Sequence, residues 1–317
     1  MNCWKNLSPV KNNLAKRDAF DAKYQGIFKG IKGRVRQKEY LKDYTTFKIG
    51  GPAKFLIEPK DTHGLKRALN LLKRYKTPIF VLGAGSNILV SDKGVNAAVI
   101  RLVSAYFKKV RFRGNFCEAG SGAMLKQVIS SATRRTLSGM EFLAGIPATL
   151  GGALVMNAGV AEKNIGDLVK TVTVMDYDGK IKNLNKKDIK FGYRTSNFSK
   201  YIILGACIKL TKSNKQEIKD KIKRYLSYRQ ATQDLSFANA GCVFKNPKRY
   251  SAGKLIDLCG LKGKRIGDAC ISNKHANFIL NLNKAKSRDV LKLMGLIKAR
   301  VKKKFNINLE SEIRIWQ

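Results

Sequence analysis

No run of about 18 uncharged apolar residues occurs in this 317-residue chain, so a membrane-spanning helix is not expected. Met1 to Arg17 carries charges without an apolar stretch behind them, which argues against an export signal and for a cytoplasmic protein. Histidine is nearly absent, with only His63 and His275. The cysteines, Cys3, Cys117, Cys207, Cys242, Cys259 and Cys270, form no C-x-x-C pair, so no metal site is expected and the thiols fit a reducing compartment. Acidic residues are also scarce, 22 against 63 Lys and Arg, and the net charge of +41 would attract any polyanion. The lysines are spread over every predicted helix and loop instead of gathering around stacking aromatics, which disfavours a dedicated nucleic-acid surface. A G-x-G-x-x-G dinucleotide fingerprint is missing too: after Gly83 and Gly85 the sixth position is Ile88.

What is present is a chain long enough for more than one domain, since one core seldom grows past roughly 250 residues. Residues 1–43 are polar and basic and read as an N-terminal extension. From Tyr44, the alternation of Phe47 and Ile49 predicts a strand. Gly50-Gly51-Pro52 breaks it, and Phe55 to Ile57 resumes. Thr62 is placed to cap a helix carrying Leu65, Ala68, Leu69, Leu72 and Tyr75, followed by a strand at Ile79 to Leu82. Further expectations are a strand at Val99 to Val103, a helix at Ala123 to Thr133, a hairpin from Leu168 to Leu184 turning at Asp178-Gly179, and a strand at Tyr201 to Leu210. A charged helix, Lys215 to Arg229, opens a second domain, residues 212–317, after a first of residues 44–211. The second domain has a glycine-rich loop at Ala240 to Pro247, an apolar segment at Asn277 to Leu282, a helix from Ser287 to Lys304 and a last strand from Leu309 to Trp316.

Three segments concentrate small residues: Gly83-Ala84-Gly85-Ser86-Asn87, Gly120-Ser121-Gly122-Ala123, and Gly145-Ile146-Pro147-Ala148-Thr149-Leu150-Gly151-Gly152. Glycine lets backbone amides approach a phosphate, so three such loops in one domain favour an extended phosphate-bearing cofactor over simple turns. The third runs on into Asn157-Ala158-Gly159.

With Thr45 to Ala53 and Glu141 to Pro147, these loops resemble the FAD-binding half of the UDP-N-acetylenolpyruvoylglucosamine reductases. Phe191-Gly192-Tyr193-Arg194-Thr195-Ser196, Gly241 to Pro247, Gly260 to Gly263, Ser272 to Phe278 and Leu309 to Arg314 are similar to the rest of that family, in order, from Tyr44 to the end. The resemblance implies an α+β fold, with a two-lobed FAD-binding domain of the vanillyl-alcohol-oxidase type and a smaller α+β substrate domain. It implies FAD as cofactor, NADPH as co-substrate, and UDP-N-acetylglucosamine enolpyruvate as the molecule reduced for peptidoglycan synthesis. Monomer is the default state.

The resemblance assigns cofactor contacts to Gly83, Ala84, Gly85, Ser86, Asn87, Gly120, Gly145, Ile146, Pro147, Gly151, Gly152, Asn157 and Ala158. Arg194 would hold the substrate carboxylate with its planar paired donors, and Glu312 would polarise the enolate as its protonated acid. Cys242 stands where the family most often has a proton-donating serine. Its thiol is more acidic than an alcohol, and nearby cations are expected to push it toward thiolate. Tyr193, Lys245, Asn246, Lys262 and His275 are the candidate substrate contacts. Ala148 replaces a frequent glycine, a change that matters only if the backbone there needs positive φ or close approach. Arg194 and Cys242 are 48 positions apart, which resembles the shorter subtype without an extra covering loop, so closure would fall to the C-terminal domain. The rivals are another flavin enzyme on the same scaffold and a nucleic-acid-binding descendant of it. Neither histidine lies in a glycine segment, where a covalent flavin link would need one.

Overall fold

The computed structural model describes Phe28 and residues 30–160 and 163–317. The expected extension up to residue 27 lies outside them. The remainder of that span is not an extension: Gly33–Tyr40 is a strand, β1, antiparallel to β2, Pro52–Pro59. Its sequence, GRVRQKEY, lacks an apolar alternation because it is an edge strand held by backbone pairing and by charge. Arg36 bonds Glu58 at 2.5 Å and Tyr44 Oη at 2.5 Å, and Arg101 bonds the other oxygen of Glu58 at 2.7 Å.

Helix α1, Thr62–Arg74, follows β2 and buries Leu65, Ala68, Leu69 and Leu72 on the face that the sequence indicated. Its cap is Asp61, not Thr62: the Asp61 carboxylate accepts the Gly64 amide at 2.8 Å. Strands β3, Ile79–Val81, β4, Ile88–Val90, and β5, Val95–Ile100, come next. The first sheet runs β1-β2-β5-β3 and is parallel except at β1. Phe47 and Ile49, expected in a strand, lie in a loop and are almost fully buried in the core of the C-terminal half.

Strands β6, Val110–Arg113, and β7, Phe116–Gly120, lead to α2, Leu125–Thr133, and the short α3, Leu150–Val155. The expected hairpin is β8, Val169–Asp176, with β9, Ile181–Asn185, and the apolar strand is β10, Tyr201–Lys209. These form an antiparallel sheet in the order β9-β8-β10-β7-β6. Its core gathers Leu125, Val128, Leu150, Leu154, Val172 and Ile208, all fully buried.

Helix α4, Lys215–Thr232, leads into an antiparallel sheet built from β11, Ala238–Cys242, β12, Arg265–Ile266, β13, Ala269–Ile271, and β14, Phe278–Asn281. Helix α5, Ala252–Leu258, and the long α6, Ser287–Phe305, cover it. The expected last strand is shorter, β15, Arg314–Trp316, and it pairs in parallel with β4 of the first half. Fold class is α+β, as the sequence implied.

The halves are tied at further points. Asn281 donates to the Phe47 carbonyl at 2.9 Å. Asp92 accepts the Ser287 amide at 2.9 Å, the Ser287 hydroxyl at 2.8 Å and the Arg288 amide at 3.3 Å, capping α6 from the other half of the molecule. Asp92→Ala should therefore cost about 1–3 kcal/mol, read as a lower urea midpoint with an unchanged slope.

Candidate active site

The segment Glu310 to Trp316 runs between two others. On one side Glu312 N donates to Val243 O at 2.8 Å and Lys245 N to Glu310 O at 2.9 Å. On the other, Arg314 N donates to Asn87 O at 2.9 Å, and Asn87 Nδ2 returns a bond to Glu312 O at 3.1 Å. Glu312 is thereby set beside the end of β11. The pairing of β11 with β14 is irregular between Asn239 and Cys242, a bulge that turns Cys242 toward the cavity described below.

Arg194 occupies the two-residue turn between Gly192 and Thr195 with φ 55°, a backbone conformation rare for a side-chain-bearing residue. Its Nε donates to Glu312 Oε1 at 2.9 Å and one terminal nitrogen to Gly159 O at 3.1 Å. Burial raises the Glu312 carboxyl above its ordinary value, opposed by Arg194 and Lys245. Burial likewise pushes the Cys242 thiol up to about 12, reinforced by Glu312 and opposed by Arg194, Arg229 and a bond from Asn277. The expected drift toward thiolate is overturned: desolvation outweighs both guanidinium groups, and the group is a thiol at neutral pH.

Arg194, Cys242 and Glu312 share one cavity of about 870 Å³ with the first and third glycine segments and with Ser121 and Gly122 of the second. That volume is at the upper end for ligand pockets. The fit to a phosphate-bearing cofactor rests on unspent donors. Among the described residues, the amides of Gly83, Ala84, Gly85, Ser86 and Asn87 donate to nothing, and all five residues line the cavity. Successive free amides form a concave anion site. Gly85 permits it by adopting φ 69°, and a Cβ there would stand 2.1 Å from Tyr44 O. Ser121 Oγ, Arg229 Nε and Gln233 Oε1 line the same cavity, buried and without partners. Groups of this kind are costly unless a ligand satisfies them.

Of the cofactor residues expected from sequence, Gly145, Ile146, Pro147, Gly151, Gly152 and Ala158 also line the cavity. Gly120 and Asn157 do not. Gly120 gives its amide to Lys109 O, and its missing Cβ leaves room for Phe107 O. Asn157 braces the backbone, donating to Gly192 O and accepting from Gly166 N. Ala148 has no positive φ, so its methyl is accommodated.

Among the expected substrate contacts, Tyr193 Oη accepts the Asn246 amide at 3.3 Å and Lys245 pairs with Glu310 at 3.1 Å, a cluster next to Arg194 and Glu312 but outside the cavity lining. Lys262 pairs with Asp257 at 2.7 Å, and His275 accepts the Asn277 amide at 3.3 Å, its basicity lowered chiefly by burial. Neither of these two lines the cavity. Sequence reasoning missed Thr46, Ser121, Tyr177, Arg229, Gln233 and Arg314, which do. Ser121 lies within a segment that had been singled out. Arg229 lies in a lysine-rich helix and Gln233 just past its end, where nothing in the sequence distinguishes them.

The model of the UDP-N-acetylenolpyruvoylglucosamine reductase C-terminal domain matches residues 232–316, and that of an FAD binding domain matches residues 53–185. The chain is 41% identical over 286 residues to UDP-N-acetylenolpyruvoylglucosamine reductase 2 of Symbiobacterium thermophilum, covering 90% of this chain and 92% of that protein. It is 38% identical to the Clostridium novyi reductase over the same shares. The crystal structure of the Thermus caldophilus UDP-N-acetylenolpyruvylglucosamine reductase superposes with TM-score 0.79 at 40% identity, covering 90% of this chain and 100% of that one.

The high thiol pKa makes a direct prediction. Peptide-resolved alkylation should label Cys242 slowly at pH 8, with a rate that climbs only as pH approaches about 12. Rapid labelling at neutral pH would show a thiolate and contradict the dominance of burial.

Proposed function

The chain belongs to the UDP-N-acetylenolpyruvoylglucosamine reductase family, and from that membership we propose that it reduces UDP-N-acetylglucosamine enolpyruvate to UDP-N-acetylmuramate with NADPH and FAD, a step toward peptidoglycan. The observation that carries this reading is the meeting of Arg194, Cys242 and Glu312 in one cavity with five unspent amides.

FAD supplies hydride acceptance from the nicotinamide and hydride delivery to the enolpyruvyl double bond. The amides of Gly83 to Asn87 would hold its pyrophosphate, with Gly145 to Pro147, Gly151, Gly152 and Ala158 walling the rest. Arg194 keeps N–H groups beyond those given to Glu312 and Gly159, and these suit the substrate carboxylate. A carboxylate there competes with Glu312 for the guanidinium. The Glu312 pKa, already raised by burial, would then rise further, favouring the protonated form that can donate to the enolate oxygen.

Cys242 has the remaining task of giving a proton to the enolate carbon. Burial keeps its proton in place beforehand, and Arg194, Arg229 and Asn277 support the thiolate left behind. Tyr193, Lys245 and Asn246 stand next to this centre and suit the sugar and diphosphate.

Anaerobic spectroscopy tests the whole. The purified protein should show bound flavin that bleaches with NADPH and recovers when the enolpyruvyl sugar nucleotide is added. A protein that bleaches without recovering is a different flavin enzyme, and one that cannot take up FAD at all overturns the proposal. Cys242→Ala should lower turnover by about 10²–10⁴-fold, while Cys242→Ser keeps a proton to give. Because the donor loses its proton only near pH 12, no loss of rate from this group is expected between pH 7 and about pH 10.

A further inference from the structure

Asn157, a cofactor contact by resemblance, does not line the cavity, and both ends of its buried side-chain amide are engaged elsewhere. It follows helix α3 with φ 42°, the left-handed conformation that ends helices. The backbone bonds of such a cap are present, from Asn157 N to Leu154 O at 3.2 Å and from Ala158 N to Ala153 O at 2.8 Å. Glycine adopts that conformation most readily, so the cap itself needs no side chain. What the side chain adds is a bridge: Nδ2 donates to Gly192 O at 3.0 Å, and Oδ1 accepts the Gly166 amide at 3.0 Å.

Gly192 opens the turn that carries Arg194. The hairpin around it, Phe191–Gly192 with Thr195–Ser196, is tied at alternate residues to the end of α3 and the chain that follows. Ser196 Oγ donates to Val155 O at 2.8 Å, Asn157 to Gly192 O, and a terminal nitrogen of Arg194 to Gly159 O at 3.1 Å. Of these three, the Asn157 bond alone holds hairpin backbone. We propose that Asn157 is a positioning residue for the reduction, setting through the Gly192 carbonyl the turn that aims Arg194 at the substrate carboxylate. The inference rests on the reading in which Arg194 holds that carboxylate. The need arises when substrate binds, because its carboxylate competes for the guanidinium and weakens the 2.9 Å bond to Glu312. The anchors left to Arg194 are Gly159 O and its own left-handed turn, and the chain around Asn157 sets both. A shift of that turn misplaces the guanidinium and leaves the cofactor walls in position. Hydride transfer to the substrate suffers, and hydride transfer from NADPH does not.

The test follows the two half-reactions of FAD-loaded protein separately, by anaerobic stopped flow. It compares wild type, Asn157→Gly, Asn157→Asp, Arg194→Ala and the double variant Asn157→Gly with Arg194→Ala. Asn157→Gly keeps the helix cap, whereas Asn157→Asp keeps the acceptor for Gly166 and turns an oxygen on the Gly192 carbonyl. Both should slow reoxidation of reduced FAD by the enolpyruvyl sugar nucleotide about 10–100-fold, with reduction by NADPH within about threefold of wild type. Because the effect passes through Arg194, adding Asn157→Gly to Arg194→Ala should slow reoxidation by no more than about twofold further. If one Asn157 variant loses FAD, the other decides. Unchanged reoxidation, an equal loss in both half-reactions, or a full additional loss in the Arg194→Ala background would overturn the proposal. Loss of FAD from both variants would also overturn it, assigning Asn157 to support of the wall at Ala158 and Gly159. Wild-type protein that cannot bind FAD, or that the sugar nucleotide cannot reoxidise, would instead remove the functional reading and this assignment with it.

Discussion

The site depends on one segment, Glu310 to Trp316, being hydrogen-bonded along both of its edges. It meets Val243 and Lys245 of the C-terminal half on one side, and Asn87 and β4 of the first half on the other. Trp316 completes the dock by stacking on Phe80, with centroids 4.5 Å apart. The backbone that carries Glu312 is bonded to Asn87, the last residue of the loop 83–87 that lines the cavity and whose amides are unspent. Disturbing that loop would therefore disturb the Glu312 backbone, although Asn87 and Glu312 are 225 positions apart in sequence.

The electrostatics of the site are a contest between burial and two cations at each acid. At an effective dielectric near 20, a unit charge about 4 Å away is worth roughly 4 kcal/mol, enough to shift a thiol by about 3 units. Cys242 is nevertheless raised, and so is Glu312, so removal from water exceeds the help of Arg194 and Arg229 at the thiol and of Arg194 and Lys245 at the carboxyl. The net charge of +41 has no say in this, because solvent-exposed lysines beyond a Debye length of roughly 8–10 Å are screened. It acts outside the site, where it can draw anionic nucleotides toward the cavity.

How much of this was legible in the sequence depended on the kind of signal. Helical faces such as Leu65, Ala68, Leu69 and Leu72 declare themselves by period, and the hairpin by its Asp178-Gly179 turn. Phe47 and Ile49 imitate a strand because alternate residues are buried, but what buries them is the other half of the molecule, which no local period can reveal. Strand β1 was invisible for the opposite reason, being fixed by pairing and ion pairs instead of by apolar residues. The glycine segments meet at one cavity, but they contribute to it differently. The amides of Gly83 to Asn87 are free, whereas all four from Gly120 to Ala123 are spent within the protein. A glycine in a motif can serve the ligand or the neighbouring backbone, and only the hydrogen-bond accounting separates the two uses.

That accounting also explains why the halves are joined so firmly. A cavity with orphaned polar atoms at Ser121, Arg229 and Gln233 is under an opposing free energy of about 1–3 kcal/mol for each buried unsatisfied group. Without a ligand, the ordinary response would be collapse or a slip that lets these groups find partners. The described contacts prevent both. Asp92 holds the start of α6, Asn281 holds the Phe47 loop, β15 is paired with β4, and α4 is seated on Gly145. With the walls fixed in this way, the dissatisfaction is retained until a ligand relieves it, so part of the ordering that binding requires is already in place. Closure by movement of the whole C-terminal domain would have to break several of these ties at once.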